Sequence, residues 1–282
     1  MPAAYDRLGG MGGYGWVSFT TDYGEVDGFV AACKGVIATI APAARVIDVT
    51  HQVPPQDVRR GSRVLAQTAP WLPSAVHVAV VDPGVGTERR GVCVVAGPSV
   101  LIGPDNGLLV PAAEALGGLT AAYELTDPAY QLPVVTTTFH GRDVFAPAAA
   151  HVCNGVAPAA LGPAIEVGSL VRLPTPTVAA TPGDLRAEVL AVDGFGNVQL
   201  AAAGADLATA FGPAGPAPTR LLVHAGERSW PASRGTTFGD VGPGELVVYV
   251  DSVDRVAVAV NGGAAAPRLG AAEGTTVRIT RA

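Results

Sequence analysis

Short apolar runs alternate with longer stretches of helical spacing in the first half of the chain, and the texture changes past residue 155. Residues 16–19 predict a strand, followed by a polar turn over 20–24 and helical spacing over 28–40. Residues 46–49 predict a second strand, and after Pro54-Pro55 the Asp57 side chain can cap a helix running toward residue 69. Further strands are expected at 76–81, 92–96 and 100–102, with helices at 111–116 and 144–152. Strands alternating with helices imply an α/β domain, layered around a largely parallel sheet.

Pro, Ala, Gly and Thr dominate residues 155–183, which favours turns and extended chain and places a linker at 173–184. Short β-like runs follow at 185–192, 220–223, 246–250, 256–260 and 276–279, so the second domain is expected to be smaller and all-β, a barrel or a sandwich. The expected division is a disordered tail at 1–15, an α/β domain at 16–172, the linker, and the β domain at 185–282.

Composition narrows the function classes. Hydrophobic residues make up 49% and charged residues 15%, enough for packed cores and against disorder. Lys and Arg number 18 against 24 Asp and Glu, without a basic stripe, which disfavours nucleic acid as a partner. Cys33, Cys93 and Cys153 are odd in number and far apart, fitting a reducing cytoplasm better than a disulfide framework or zinc site. No apolar run reaches the ~18 residues of a membrane span, and the N-terminal residues lack the pattern of an export signal.

Polar residues gather where apolar strands end: Thr20-Thr21-Asp22-Tyr23-Gly24, Asp82-Pro83-Gly84-Val85-Gly86-Thr87 and Asp105-Asn106-Gly107. Loops at the carboxyl ends of strands are where open α/β sheets bind ligands, although each of these is equally readable as an Asx- or Gly-driven turn. No GxGxxG follows a predicted strand and opens a helix, the one match at 10–15 lying ahead of the first strand, and GxxxxGK[ST] does not occur, so phosphate cradling of those kinds has no support. His140 lies in a dense polar string, Thr136 to Asp143, and its ordinary pKa suits general-base work or the orientation of a water. His151 reads as a core or supporting residue, and His51 and His77 show no polar company. Asp193-Gly194-Phe195-Gly196-Asn197 reads locally as a turn, and no His or Cys grouping supports a metal.

Taken in order, Phe19-Thr20-Thr21-Asp22-Tyr23-Gly24, Val81 to Thr87, Asp105 to Leu109, Phe139-His140-Gly141-Arg142-Asp143 and Phe195-Gly196-Asn197 resemble the motif series of the S-adenosylmethionine hydroxide adenosyltransferases. That family is related to fluorinase and chlorinase. The resemblance covers residues 16–282 and implies hydrolysis of S-adenosylmethionine to adenosine and methionine without a cofactor. It also implies a homotrimer, with the small-molecule substrate between the α/β domain of one subunit and the β domain of the next. The positions matching the family's water-holding triad are Asp82, Arg89 and His140, with Arg90 leaving the choice of arginine slightly open. Asp22 matches a ribose-binding carboxylate, Asn197 an adenine contact, and Asp193 and Ser252 positions near the methionine portion, while Phe139 is either a site wall or core.

Two departures stand out: Leu200-Ala201 lies where the family usually has Thr-Asn, and Asp254 replaces a common Gly. The halide enzymes carry Tyr where this chain has Asp82. A carboxylate there would repel an incoming anion by several kcal/mol, on the order expected for close charges at an effective dielectric of about 20. A halide-using adenosyltransferase is therefore the second enzymatic reading, and a non-catalytic adenosine or S-adenosylmethionine sensor the reading from another class.

Overall fold

The computed structural model describes residues 13–213 and 219–282, so residues 1–12 of the expected tail lie outside it. Tyr14 is half-buried and packs on the first core, which makes it part of the folded unit rather than of a tail. The chain divides into two compact units at Leu173/Pro174.

The first unit contains β1 (Trp16–Thr21), α1 (Phe29–Ile40), β2 (Arg45–Thr50), α2 (Val58–Thr68) and β3 (Val76–Val80). There follow β4 (Gly91–Ala96), β5 (Ser99–Pro104), α3 (Val110–Ala115), β6 (Leu119–Glu124), α4 (Ala146–Cys153) and β7 (Ala164–Ile165). The seven strands lie in the order β2-β1-β3-β5-β4-β6-β7. Pairings from β2 through β1 and β3 to β5 are parallel, whereas β4, β6 and β7 add antiparallel pairings. The parallel expectation thus describes one side of a mixed sheet, because β4 and β5 are joined by the tight Gly97-Pro98 turn, which a parallel crossover could not span.

Alternation along the central strands separates two cores. Val17 and Phe19 of β1 and Val76, Val78 and Val80 of β3 pack with Cys33, Ile37, Phe145 and Ala149, the α1 and α4 side. Ala79 and the following Val81 pack with Leu65, Leu108 and Ala112, the α2 and α3 side. Asp57 accepts from Arg60 N at 2.8 Å and caps α2 as its sequence position predicts. At Gly61 an added Cβ would press on Val81 and Leu108, so glycine lets α2 approach the sheet there.

The second unit holds β8 (Val178–Thr181), β9 (Asp184–Val192), β10 (Val198–Ala203), α5 (Gly204–Phe211), β11 (Arg220–Ala225) and β12 (Arg228–Arg234). It ends with β13 (Leu246–Val250), β14 (Arg255–Val260), α6 (Ala265–Leu269) and β15 (Thr276–Arg281). The sheet order is β10-β14-β13-β12-β11-β15-β9-β8, and β9 also pairs with β10, which closes the strands into a barrel. The first half of β9 pairs with β15 and β8 and its second half with β10. Every second residue points inward: Leu185, Val189, Leu221, Val223, Val256, Val258, Val277 and Ile279 are buried in one core, joined by Leu207 and Phe211 of α5. Residues 178–181, expected in the linker, form an edge strand of this unit, and residues 201–210, which are rich in alanine, supply the end of β10 and most of a short helix, α5. Among the described residues no helix is long and apolar enough to cross a membrane.

Candidate active site

The loop after β3 carries Asp82, and its turn is tight: Val85 N bonds to Asp82 O at 3.2 Å and Thr87 N to Gly84 O at 3.2 Å. Gly86 has φ +77° and lies against the Thr137 carbonyl, where a side chain would collide. The chain then turns back so that Arg89 faces Asp82. Arg89 Nε donates to Asp82 Oδ1 at 3.1 Å and Nη2 to Oδ2 at 2.5 Å, a two-pronged pair with both side chains largely buried. The same Nη2 lies 3.2 Å from His140 Nδ1. A guanidinium has no acceptor, so His140 Nδ1 must receive this bond through its lone pair, and the ring hydrogen of neutral His140 sits on Nε2.

Burial pushes the Asp82 carboxyl above its ordinary value, with Arg89 opposing that rise. Burial and the Arg89 charge both push His140 below its ordinary value, which keeps the imidazole neutral around pH 7. The arrangement places a carboxylate, a cation and a neutral base side by side.

His140 opens a π-helical turn, Gly141–Phe145, that leads into α4. Asp143 in this turn is fully buried, and its carboxylate accepts from Thr136 N at 2.9 Å, Thr136 Oγ1 at 2.6 Å and Arg142 Nε at 2.6 Å. Those bonds hold its pKa down against its burial and pin the preceding loop to the turn. Arg90, the other arginine, turns away: its Nε and Nη2 donate to Asp105 Oδ2 at 3.0 and 2.5 Å, and Nη2 also donates to the Ser169 carbonyl at 2.8 Å. Asn106 donates to the Val81 carbonyl at 2.9 Å, so the Asp105-Asn106-Gly107 loop braces the strand end that bears Asp82.

Asp22 lies at the end of β1, where its Oδ2 accepts from Gln56 N at 2.9 Å. Tyr23 joins this loop to the triad's surroundings, since its hydroxyl sits over the Cα of Gly141 and its ring meets Phe139 edge-on at 5.7 Å. Burial, reinforced by the nearby carboxylates of Asp22 and Asp82, pushes the Tyr23 hydroxyl far above its ordinary value. Phe139 also meets Phe29 at 5.3 Å and lies under Arg142 at 4.8 Å, so it is a half-buried wall within an aromatic group.

In the second unit, Asp193 and Asn197 meet across the β9–β10 turn. Asp193 Oδ1 accepts from Phe195 N and Asn197 N at 2.9 Å each, and Oδ2 from Asn197 Nδ2 at 2.9 Å, while the intervening Phe195 is 83% exposed. Ser252 is exposed in the β13–β14 turn, which Asp251 organises by accepting from Val253 N and Arg255 N at 2.9 Å. Asp254 in that turn has φ +58°, a left-handed conformation that costs glycine nothing and that Asp tolerates, which accounts for the Gly usual there. Leu200, at the other departure, is buried in the barrel core.

Two histidines that lacked polar company in the sequence have it in the fold. His77 Nδ1 lies 2.7 Å from Ser18 Oγ across the β1–β3 pairing, and His51 bonds to both Thr21 and Asp48. Their partners lie on other strands or, for Asp48, three residues upstream across a strand end. His151 is half-buried against the Tyr130 ring at 5.2 Å.

An α/β unit with a polar site at its strand ends, followed by a β-barrel unit, defines a two-domain small-molecule enzyme architecture. The chain belongs to the SAM hydroxide adenosyltransferases: residues 17–162 match the model of that family's N-terminal domain and residues 187–278 that of its C-terminal domain. It is 58% identical to the (R)-S-adenosyl-L-methionine hydrolase of Salinispora tropica over 94% of this chain and 97% of that one. The protein of the same name from Thermus thermophilus is 42% identical over 93% and 98%, whereas a fluorinase from Actinopolyspora mzabensis is 29% identical over 94% and 97%. The crystal structure of a conserved protein from Thermotoga maritima superposes with a TM-score of 0.86 at 33% identity, covering 94% of this chain and all of that one.

Proposed function

We propose that this protein hydrolyses S-adenosyl-L-methionine to adenosine and L-methionine, and that Asp82, Arg89 and His140 handle the attacking water. The observation that carries the reading is the bridge of Arg89 between Asp82 and His140, in a chain of this family. Arg89 would stabilise the oxygen as it gains hydroxide character, Asp82 oxygens would accept the water's hydrogens, and His140 Nδ1 would exchange its bond from Arg89 for one from the water to take up the proton. The water oxygen attacks the ribose 5′ carbon in line, the bond from that carbon to sulfur breaks, and its electron pair neutralises the sulfonium as methionine leaves. The water's proton passes to His140 and on to solvent. A sulfonium is already an activated leaving group, so the reaction as written calls for no cofactor.

Asp22 would accept from the ribose hydroxyls and Phe139 would wall the site, with Asn197 at adenine and Asp193 and Ser252 near the methionine portion. We carry to this chain the homotrimer that the family resemblance implies, with sites between the first unit of one subunit and the second unit of its neighbour. Light scattering on purified protein would test that mass. Three buried free thiols suit a reducing cytoplasm. The similar hydrolases are named for the (R) form of the substrate, and we carry that sulfonium configuration to this chain.

The test is incubation with each sulfonium epimer in chloride-free and chloride-containing buffer, with chromatography of adenosine, methionine and any chlorinated nucleoside. Adenosine from the (R) epimer in both buffers, lost in Asp82→Ala, is the expected result. A chlorinated product would transfer the protein to the halide-using branch, and bound but uncleaved substrate would make it a sensor.

A further inference from the structure

The loops that follow β1 and β2 are laced together by residues outside the proposed triad. His51, only 4% exposed, stands at the centre. Its Nε2 donates to Asp48 Oδ1 at 3.0 Å, and Lys34 Nζ donates to the other oxygen of that carboxylate at 2.5 Å. Burial raises the Asp48 pKa, but the bonds from Lys34 and His51 outweigh it and keep Asp48 ionised. With its hydrogen on Nε2, His51 Nδ1 accepts from the fully buried Thr21 Oγ1 at 2.9 Å. Thr21 Oγ1 in turn accepts from Tyr23 N at 3.2 Å, and the His51 carbonyl accepts from Gly24 N at 2.7 Å. The Phe19 ring closes one side, 5.1 Å from the imidazole.

Asp22 sits between the atoms so held. Its Oδ2 is fixed by Gln56 N, from a residue in the left-handed region at φ +66°, a conformation a non-glycine side chain adopts only when its surroundings impose it. We propose that His51, clamped by Asp48, is a positioning residue: it holds Thr21, Tyr23 and Gly24 so that the Asp22 carboxylate is preset for a vicinal diol. The inference rests on the reading of Asp22 as the ribose acceptor. Preorganisation of this kind lowers the ordering cost of binding and leaves the chemical step, which belongs to the β3 and π-turn residues, untouched.

The experiment is a double-mutant cycle on the full-length protein, reading kcat and KM for S-adenosylmethionine and the Kd of adenosine. His51→Ala should raise KM and Kd about tenfold, the loss of roughly one net hydrogen bond, with kcat within about twofold. His51→Asn, whose amide can replace the acceptor at Nδ1, should recover most of that loss. Combining His51→Ala with Asp22→Ala should add nothing to Asp22→Ala alone, because one acts through the other. Unchanged KM in His51→Ala, full additivity, or a fall in kcat as large as the rise in KM would overturn the proposal. Unchanged KM in Asp22→Ala would instead remove the ribose assignment. Should His51→Ala not fold, Asp48→Asn takes its place in the same cycle: a raised KM that is non-additive with Asp22→Ala supports the proposal, and an unchanged KM or full additivity overturns it.

Discussion

Arg89 grips Asp82 with two hydrogen bonds at once, Nε to Oδ1 at 3.1 Å and Nη2 to Oδ2 at 2.5 Å, with the two side chains only 9% and 6% exposed. Lysine would keep the charge and lose the fork, so Arg89→Lys should lower kcat/KM by about a hundredfold in the adenosine-release assay. A fall of less than about threefold would mean that charge alone suffices.

The same pair makes a stability prediction. Arg89→Met leaves a buried carboxylate without its partner and should cost about 3 kcal/mol in urea unfolding, whereas Asp82→Leu with Arg89→Met should be more stable than Arg89→Met alone. A double variant no more stable than that single one would overturn this, and one less stable than the wild type would show that the pair contributes more than it costs to desolvate.

His140 is held neutral by burial and by Arg89, below its ordinary 6.5. Protonation would remove the Nδ1 lone pair and set a second cation beside Arg89. Activity should therefore be flat through neutral pH and fall with acid, with the limb centred below 6.5. The kcat/KM profile checks this, and His140→Gln should lose that limb along with most of the rate. A limb centred above neutrality would contradict the role.

His77 is fully buried, bonded among the described residues through Nδ1 to Ser18 alone, and burial pushes it down to about 4. The unfolded chain binds the proton at 6.5 and the folded one does not, so the stabilising contribution is complete above pH 6.5 and is lost as pH falls toward 4. The loss should approach about 3 kcal/mol. Denaturant midpoints at pH 7 and pH 4.5 measure it, and a His77→Asn variant should show a shallower acid dependence. Equal slopes would exclude His77 as the source.

The hydroxyl of Tyr23 occupies the space that a Cβ on Gly141 would need. Gly141→Ala should consequently displace Tyr23 and the neighbouring His140, lowering kcat by roughly tenfold or more for a shift of a fraction of an ångström. Tyr23→Phe removes the obstructing oxygen, so the double variant should regain activity over Gly141→Ala. No recovery would place the clash elsewhere.

Much of the secondary structure was legible along the chain, for local reasons. Residues 76–81 are almost wholly apolar because β3 is buried on both faces, Val76, Val78 and Val80 on one and Ala79 and the following Val81 on the other, and Asp57 announces α2 because a cap lies next to what it caps. The loops with Asp22, Asp82 and His140 were visible as polar strings at the ends of apolar segments. Weakly patterned pieces escaped: β6 and β10 are alanine-rich, β12 carries a proline, and β8 lies in a stretch that reads as linker.

The sequence by itself determined the two-part division of texture, the α/β alternation, and the residue types available at each strand end, since these follow from periodicity and turn chemistry between near neighbours. Only the tertiary structure decided which arginine faces Asp82, how β9 meets β10 to close the barrel, and that His51 and His77 have partners. Those outcomes depend on register and on groups brought together across many residues, such as Ser18 with His77 and Arg89 with His140, and a linear pattern carries no record of such distances.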